Sequence, residues 1–253
     1  MLKKVLTQAA EVLLIAGTAL VLAACGGGGG SEAAGPVAAV PAKPAPDASP
    51  TPPAPSSGFA DSEILALADS TNLSSSGYPW NGRFAGVVKR WILPIPVKTN
   101  GEIRAVPAMD AIEAKLGFTV FDRTSIAAAD EATITRGIVF RQGSSFLPAG
   151  ANPQSFCANV SDAPFSGGWS ASLSAPAELK GRMYVNLDNT QCVASADIVI
   201  HELGHAMGLG THFKGFGDDD GAIGPRFWSV LATLYANPIG TPKASVVVKQ
   251  TKN

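Results

Sequence analysis

The stretch HELGHAMGLGTH, residues 201–212, holds every histidine in the chain, and the fold is read outward from it. Ile198, Val199, Ile200, Leu203 and Met207 accompany it, so the segment predicts a helix with one buried flank. Ser195 stands where an N-cap is needed, and Asp197 falls in the first turn, where the helix dipole favours an acid. On a helix, positions i and i+4 lie one turn apart on the same face. His201 and His205 therefore aim two imidazoles at one point. Glu202 sits about 100° further round the helix, within reach of a water on an ion held there without itself becoming a ligand. Gly204 and Ala206 keep the helix slim. Gly208 comes where the chain must leave the helix and turn back, and glycine tolerates the left-handed backbone such a turn needs.

A catalytic zinc site takes three protein ligands and keeps one position open. No glutamate follows Glu202, so the candidates for the third ligand are His212 and the acidic run Asp218, Asp219 and Asp220. His212 is nearer, and the glycine turn already directs the chain back towards the helix. The acidic run is also a candidate Ca2+ site, set against its reading as a solvated loop.

The stretch resembles the metzincin family of zinc metallopeptidases, whose pattern is His-Glu-x-x-His-x-x-Gly-x-x-His. His201, Glu202, His205 and Gly208 match it position for position. The family's third histidine falls on Thr211, a poor zinc ligand, with His212 next to it. A turn one residue longer accounts for the offset, which moves the Cα by at most about 3.8 Å. The resemblance implies an α+β fold, a metzincin-like zincin domain with a mixed twisted sheet, an active-site helix and backing helices. It implies one Zn2+ per domain, held by His201, His205 and His212, with Glu202 as the general base in hydrolysis of a peptide or protein substrate. Metzincins also place a methionine in a turn beneath the zinc. No methionine follows Met207. Residues 231–238 resemble that turn with Leu234 in its place, but Phe227, Val230, Leu231 and Leu234 keep helical spacing after Pro225 and predict a helix ending near Asn237. Tyr235 is read either as a helper to the oxyanion or as packing at a helix end. Trp169 is read as core, or as part of a substrate-facing edge strand such as metzincins place before the helix.

Upstream, residues 60–67 and 106–116 predict helices, the second ending at Gly117. Residues 84–97 are strand-like, with Pro94 and Pro96 arguing for an edge or a bulge. Residues 118–121 and 132–141 predict strands, the latter with Ile134, Ile138 and Phe140 on one face. Residues 183–187 alternate cleanly as a strand, and Arg90 and Trp91 are assigned to surface and core.

Residues 1–24 have the layout of a secretion signal, with Lys3 and Lys4 followed by an apolar run too short to span a bilayer comfortably. The run ends in Leu22-Ala23-Ala24-Cys25, which resembles the lipobox of bacterial lipoproteins and implies a lipid on Cys25. Residues 25–58 form a Gly-, Pro- and Ala-rich tether that cannot bury enough apolar surface to offset its ordering entropy. Residues 59–253 are enough for one domain. Gly26, rather than an inner-membrane-retaining aspartate, favours an outer membrane in a host that has one.

Net charge is −1 and charged residues make up 15%, with scattered Lys and Arg, which argues against a nucleic-acid partner. With Cys25 lipidated, Cys157 and Cys192 remain as a pair. Two such thiols outside the cytoplasm oxidise together, and no Cys-x-x-Cys spacing points to zinc. The expected function is a lipid-anchored, extracytoplasmic zinc endopeptidase. The alternatives are a surface lipoprotein with an inert zinc site, serving adhesion or binding, and an amidase acting on non-protein amides. No sequence feature fixes the oligomeric state.

Overall fold

The computed structural model describes residues 58–75, 79–80, 82–143, 152, 154, 157–162, 172–218 and 221–251. Residues 1–57, including Cys25 and nearly all of the tether, lie outside the described residues, as do Trp169, Asp219 and Asp220. The described elements are, in chain order, α1 (Asp61–Ala68), β1 (Arg90–Trp91), β2 (Ile95–Lys98), α2 (Ala105–Leu116), β3 (Phe121–Asp122), β4 (Gly137–Gln142), β5 (Ala158–Ser161), β6 (Ser172–Ser174), β7 (Glu178–Lys180), β8 (Arg182–Leu187), α3 (Ala196–Ala206), β9 (Phe213–Lys214), β10 (Gly217–Asp218) and α4 (Pro225–Ala236). A π-helical segment, Asp69–Leu73, continues α1.

The architecture is mixed α/β. A five-stranded sheet runs in the order β3-β2-β4-β8-β5. It is parallel throughout except for β5, which pairs antiparallel with β8 at one edge. The longest ladder joins β4 to β8 from Gly137↔Arg182 to Gln142↔Leu187. Side chains alternate across it as strand geometry requires. Ile138, Phe140, Met183, Val185 and Leu187 enter the main core, which also holds α2, α3 and α4. Val139 and Tyr184 face the other way into a small cluster with Ile134. Two further ladders are short: β1-β7-β6, and β9 beside β10.

Several expectations need correction. Residues 84–97 form two short strands, β1 and β2, and β2 is not at an edge. Its first half, Ile95 and Pro96, pairs with β3, and its second half, Val97 and Lys98, pairs with β4. Pro96, with no N–H to give, thus falls before the β4 ladder begins, which is how a proline survives inside the sheet. The strand expected at 118–121 is displaced to Phe121–Asp122. Ile134 precedes β4 and packs opposite to Ile138 and Phe140, because Glu131–Thr133 form a 3-10 turn. The helices follow the sequence closely: α2 ends at Gly117 in the left-handed conformation, α3 starts on Ser195, whose hydroxyl accepts from the Ile198 N–H at 3.3 Å, and α4 carries Pro225 in its first turn.

One ionic network ties the sheet to α3. The Arg104 guanidinium donates to both oxygens of Glu102 at 2.7 Å, to Asp188 at 2.7 and 3.0 Å and to the Ala194 carbonyl at 2.6 Å. Gln142 donates to Glu102 as well, and Asp188 accepts from the Ala194 N–H. The end of β4 and the start of α2 therefore meet at the buried Glu102 carboxylate, and Arg104 links it to the loop leading into α3. The Arg104 hydrogen bonds hold the Glu102 carboxyl down to about 2, against the opposing effect of burial. With an unfolded value near 4.5, its contribution is fully present above pH 4.5 and is lost as the pH falls towards 2. Glu102→Gln should cost roughly 2–3 kcal/mol at neutral pH. Denaturant titrations at a series of pH values should show the wild-type advantage over this variant shrinking between pH 4.5 and 2.

Candidate metal centre

The helix α3 presents His201, Glu202 and His205 as its i, i+1 and i+4 positions. The C-terminal carbonyls of a helix lack partners within it, and here they find partners elsewhere. Trp91 donates its indole N–H to the Ala206 carbonyl at 2.7 Å, and Tyr235 donates its hydroxyl to that of Met207 at 2.9 Å. The end of the helix is thereby fixed by β1 and α4. Gly208 then turns the chain at φ +119. A side chain there would press on the Lys89 carbonyl at 3.0 Å.

The return leg is held by the π-helical segment. Asn72 donates to the Gly208 carbonyl at 2.8 Å and to the Lys89 carbonyl at 2.7 Å, while accepting from the Lys89 N–H. The Gly210 N–H donates to the Thr71 carbonyl. Thr71 donates to the Thr211 carbonyl at 2.8 Å, and the Thr211 hydroxyl donates to the Ser70 carbonyl at 3.2 Å. Thr211 is thus turned outward and spent on Ser70 and Thr71. The next residue, His212, points back at the helix. The one-residue offset in the sequence is absorbed here, by a turn tied down along its length.

The three imidazoles converge. The Nε2 atom of His212 lies 3.1 Å from that of His201 and 3.1 Å from that of His205, and all three ligand atoms lie within 4.8 Å of one another. Nitrogens at the corners of a tetrahedron around zinc would stand roughly 3.3 Å apart. The Nδ1 atom of His201 lies 2.7 Å from the Ala222 carbonyl, and that of His205 lies 2.6 Å from the Leu209 carbonyl. A carbonyl only accepts, so both Nδ1 atoms carry the proton and both Nε2 lone pairs face the centre. This is the tautomer that metal ligation requires. Burial pushes His201 down to about 4 and His205 to about 3, so both are neutral at pH 7. The triad is able to hold a metal ion, and its all-nitrogen donor set is compatible with zinc.

Glu202 lies beside the triad and is 7% exposed. Burial raises its carboxyl to about 8. It shares with His201 and His212 a cleft of about 350 Å³. Cys157 and Ala158, at the start of the antiparallel edge strand β5, form one wall, and Ile198, Gly217 and Ala222 form others. Cys157 lies within disulfide distance of Cys192, with Cα atoms 5.2 Å apart, which fits an oxidising compartment. Among the described residues no helix is long and apolar enough to cross a membrane.

Tyr235 is not brought to the cleft. It is 5% exposed, its hydroxyl is engaged by Met207, and burial raises its pKa. Asp218 is exposed at the end of β10 and is not one of the converging ligands. Leu234 is buried within α4, so residues 231–238 form a helix end and not a turn under the site. The residue that sequence reasoning missed is Phe216. Its ring stacks on His201 at 4.2 Å between centroids and lies 4.7 Å from His205 and 5.7 Å from His212. Gly217 follows at φ +82, where a Cβ would strike the His212 ring at 2.8 Å and His201 at 3.0 Å. The only sequence signal was an aromatic set between glycines four residues after His212.

Comparison of the chain with protein-family models, with curated proteins and with solved structures finds no match. The assignment of ligands makes a direct prediction. His212→Ala should abolish tight metal binding. Thr211→Ala, which loses only the Ser70 hydrogen bond, should keep stoichiometric metal by atomic absorption and lose about 1 kcal/mol of stability.

Proposed function

We propose that the chain is a zinc-dependent endopeptidase, a divergent metzincin-like domain held outside the cytoplasm by a lipid on Cys25 and the tether that follows. One observation carries the reading. Three imidazoles converge, two of them with Nδ1 held by a carbonyl, beside a cleft lined by His201, His212 and the buried carboxyl of Glu202. Three protein ligands leave a position free, the arrangement of catalytic rather than structural zinc. A zinc ion there would supply Lewis acidity to a carbonyl and bring the pKa of water to roughly 7.

The chain's own residues supply the rest. Glu202 lies on the same cleft without joining the ligand set, so its carboxylate is free to take a proton from the attacking water and pass it to the leaving amine. Burial alone keeps Glu202 protonated near neutrality, and a neighbouring dication favours its carboxylate form. Among the described residues β5 pairs only with β8, antiparallel, and its first residues border the cleft. An extended peptide adding to that free edge would have its backbone hydrogen-bonded beside Glu202. That feature favours a peptide over a compact non-protein amide. A binding lipoprotein with an inert zinc site would need a fourth ligand. Among the described residues no such ligand joins the triad.

The purified full chain should carry about one zinc and cleave an unfolded protein or members of a peptide library. Glu202→Gln should retain the zinc while losing on the order of 10²–10⁴ in kcat. Undiminished hydrolysis in that variant would exclude Glu202 as the base. Stoichiometric zinc without cleavage of any peptide would favour the binding lipoprotein.

A further inference from the structure

The geometry points to Phe216 as a positioning residue: an aromatic floor that collects the three imidazoles before a metal arrives. The inference rests on the metal-binding reading of the triad, but not on hydrolysis. An imidazole turns about a soft, broad torsion at χ2. Hydrogen bonds at Nδ1 restrain His201 and His205, but among the described residues no such bond accounts for His212, an exposed residue. Phe216 touches all three. It stacks nearly parallel on His201 at 28°, meets His205 at 55°, and presents itself edge-on to His212 at 86°. A single ring thus contacts each imidazole in a different orientation, and swinging any one of them inward meets a wall.

The floor is itself rigid. The Phe213 N–H donates to the Phe216 carbonyl at 3.1 Å and the Phe216 N–H donates back to the Phe213 carbonyl at 2.7 Å. A tight turn directly after His212 therefore folds the ring under the histidine that precedes it. Phe227 of α4 stacks on Phe216, 5.3 Å between centroids at 21°. Phe216 thus stacks on both His201 and Phe227, linking the ligands to α4. Phe216 is fully buried, so it also closes the rear of the site to water, and an apolar shell of this kind tunes both solvent access and ligand orientation.

The test measures metal, not turnover. On the full chain, the zinc Kd is read by competition with a chromophoric chelator, and the visible absorption of the Co2+ form reports coordination geometry. Phe216→Ala should weaken zinc ten- to hundredfold and broaden the Co2+ bands. Phe216→Met should restore the Kd to within about threefold of wild type, because a large, adaptable side chain again fills the floor. If Phe216→Ala does not yield folded protein, Phe216→Leu decides, with zinc binding expected to be at least about fivefold weaker. Val139→Ala, from the separate small cluster, controls for general loss of stability and should leave the Kd unchanged. Wild-type Kd and Co2+ spectra in Phe216→Ala or Phe216→Leu would overturn the inference. So would equal weakening by Val139→Ala, or a Phe216→Met variant as impaired as Phe216→Ala. Failure of the wild-type chain to bind zinc or Co2+ at all would instead remove the metal reading beneath it.

Discussion

The site depends on the docking of Asn72 and Thr71 against the turn from Gly208 to Thr211. Two imidazoles come free with a helix, since i and i+4 share a face. The third must be brought back across a flexible glycine turn, and a flexible turn does not hold a side chain. The carbonyl of Gly208, the N–H of Gly210 and the carbonyl of Thr211 are each bonded to the π-helical segment. The same segment is anchored from behind. Lys89 is buried and donates its ammonium to the Asn72 and Leu73 carbonyls, and Trp80 donates its indole N–H to the Thr71 carbonyl at 3.0 Å. A π-helical geometry, rare in general and frequent at functional sites, exposes these groups in the right order. The functional turn is therefore built by residues more than a hundred positions earlier in the chain.

That arrangement carries a cost in charge. Lys89 faces two carbonyls and the Trp80 ring, and burial lowers its pKa to about 8, with Asp69 partly opposing the shift. A buried ammonium is tolerated when its protons are donated and its surroundings are polar. Here the acceptors are the Asn72 and Leu73 carbonyls at the end of the π-helical segment, the second of which also accepts from the Gly86 N–H at 2.7 Å. The ammonium thereby finds acceptors and fixes the backbone that holds the turn.

Most of the local structure was legible. The helix α3, its Ser195 cap, the pairing of His201 with His205 and the left-handed turn at Gly208 all follow from residue spacing and from the stereochemistry of glycine. The helix at 225–236 was legible for the same reason, and its proline start and apolar period outweighed its likeness to a turn under a metal. The strands were read less well. Pro94 and Pro96 argued for an edge, yet β2 lies inside the sheet, because pairing switches sides along the strand and the missing N–H falls outside the β4 ladder. Ile134 kept strand spacing with Ile138 but lies before the strand, across a 3-10 turn that alternation does not encode.

The sequence by itself determined which atoms could meet a metal. It contains three histidines, of which two share a helical face and the third follows a glycine turn, with one glutamate beside the first. Only the tertiary structure decided that His212 and not Asp218 completes the triad, and that Thr211 is turned away. It also put Tyr235 to work capping the helix end and placed Phe216 beneath the rings. The reason is physical: spacing along one helix fixes directions through a single repeating geometry, whereas the direction of a side chain after a pliable turn is set by what the turn is bonded to. Here those partners, Ser70, Thr71 and Asn72, come from the far end of the domain, and nothing in the order of residues names them.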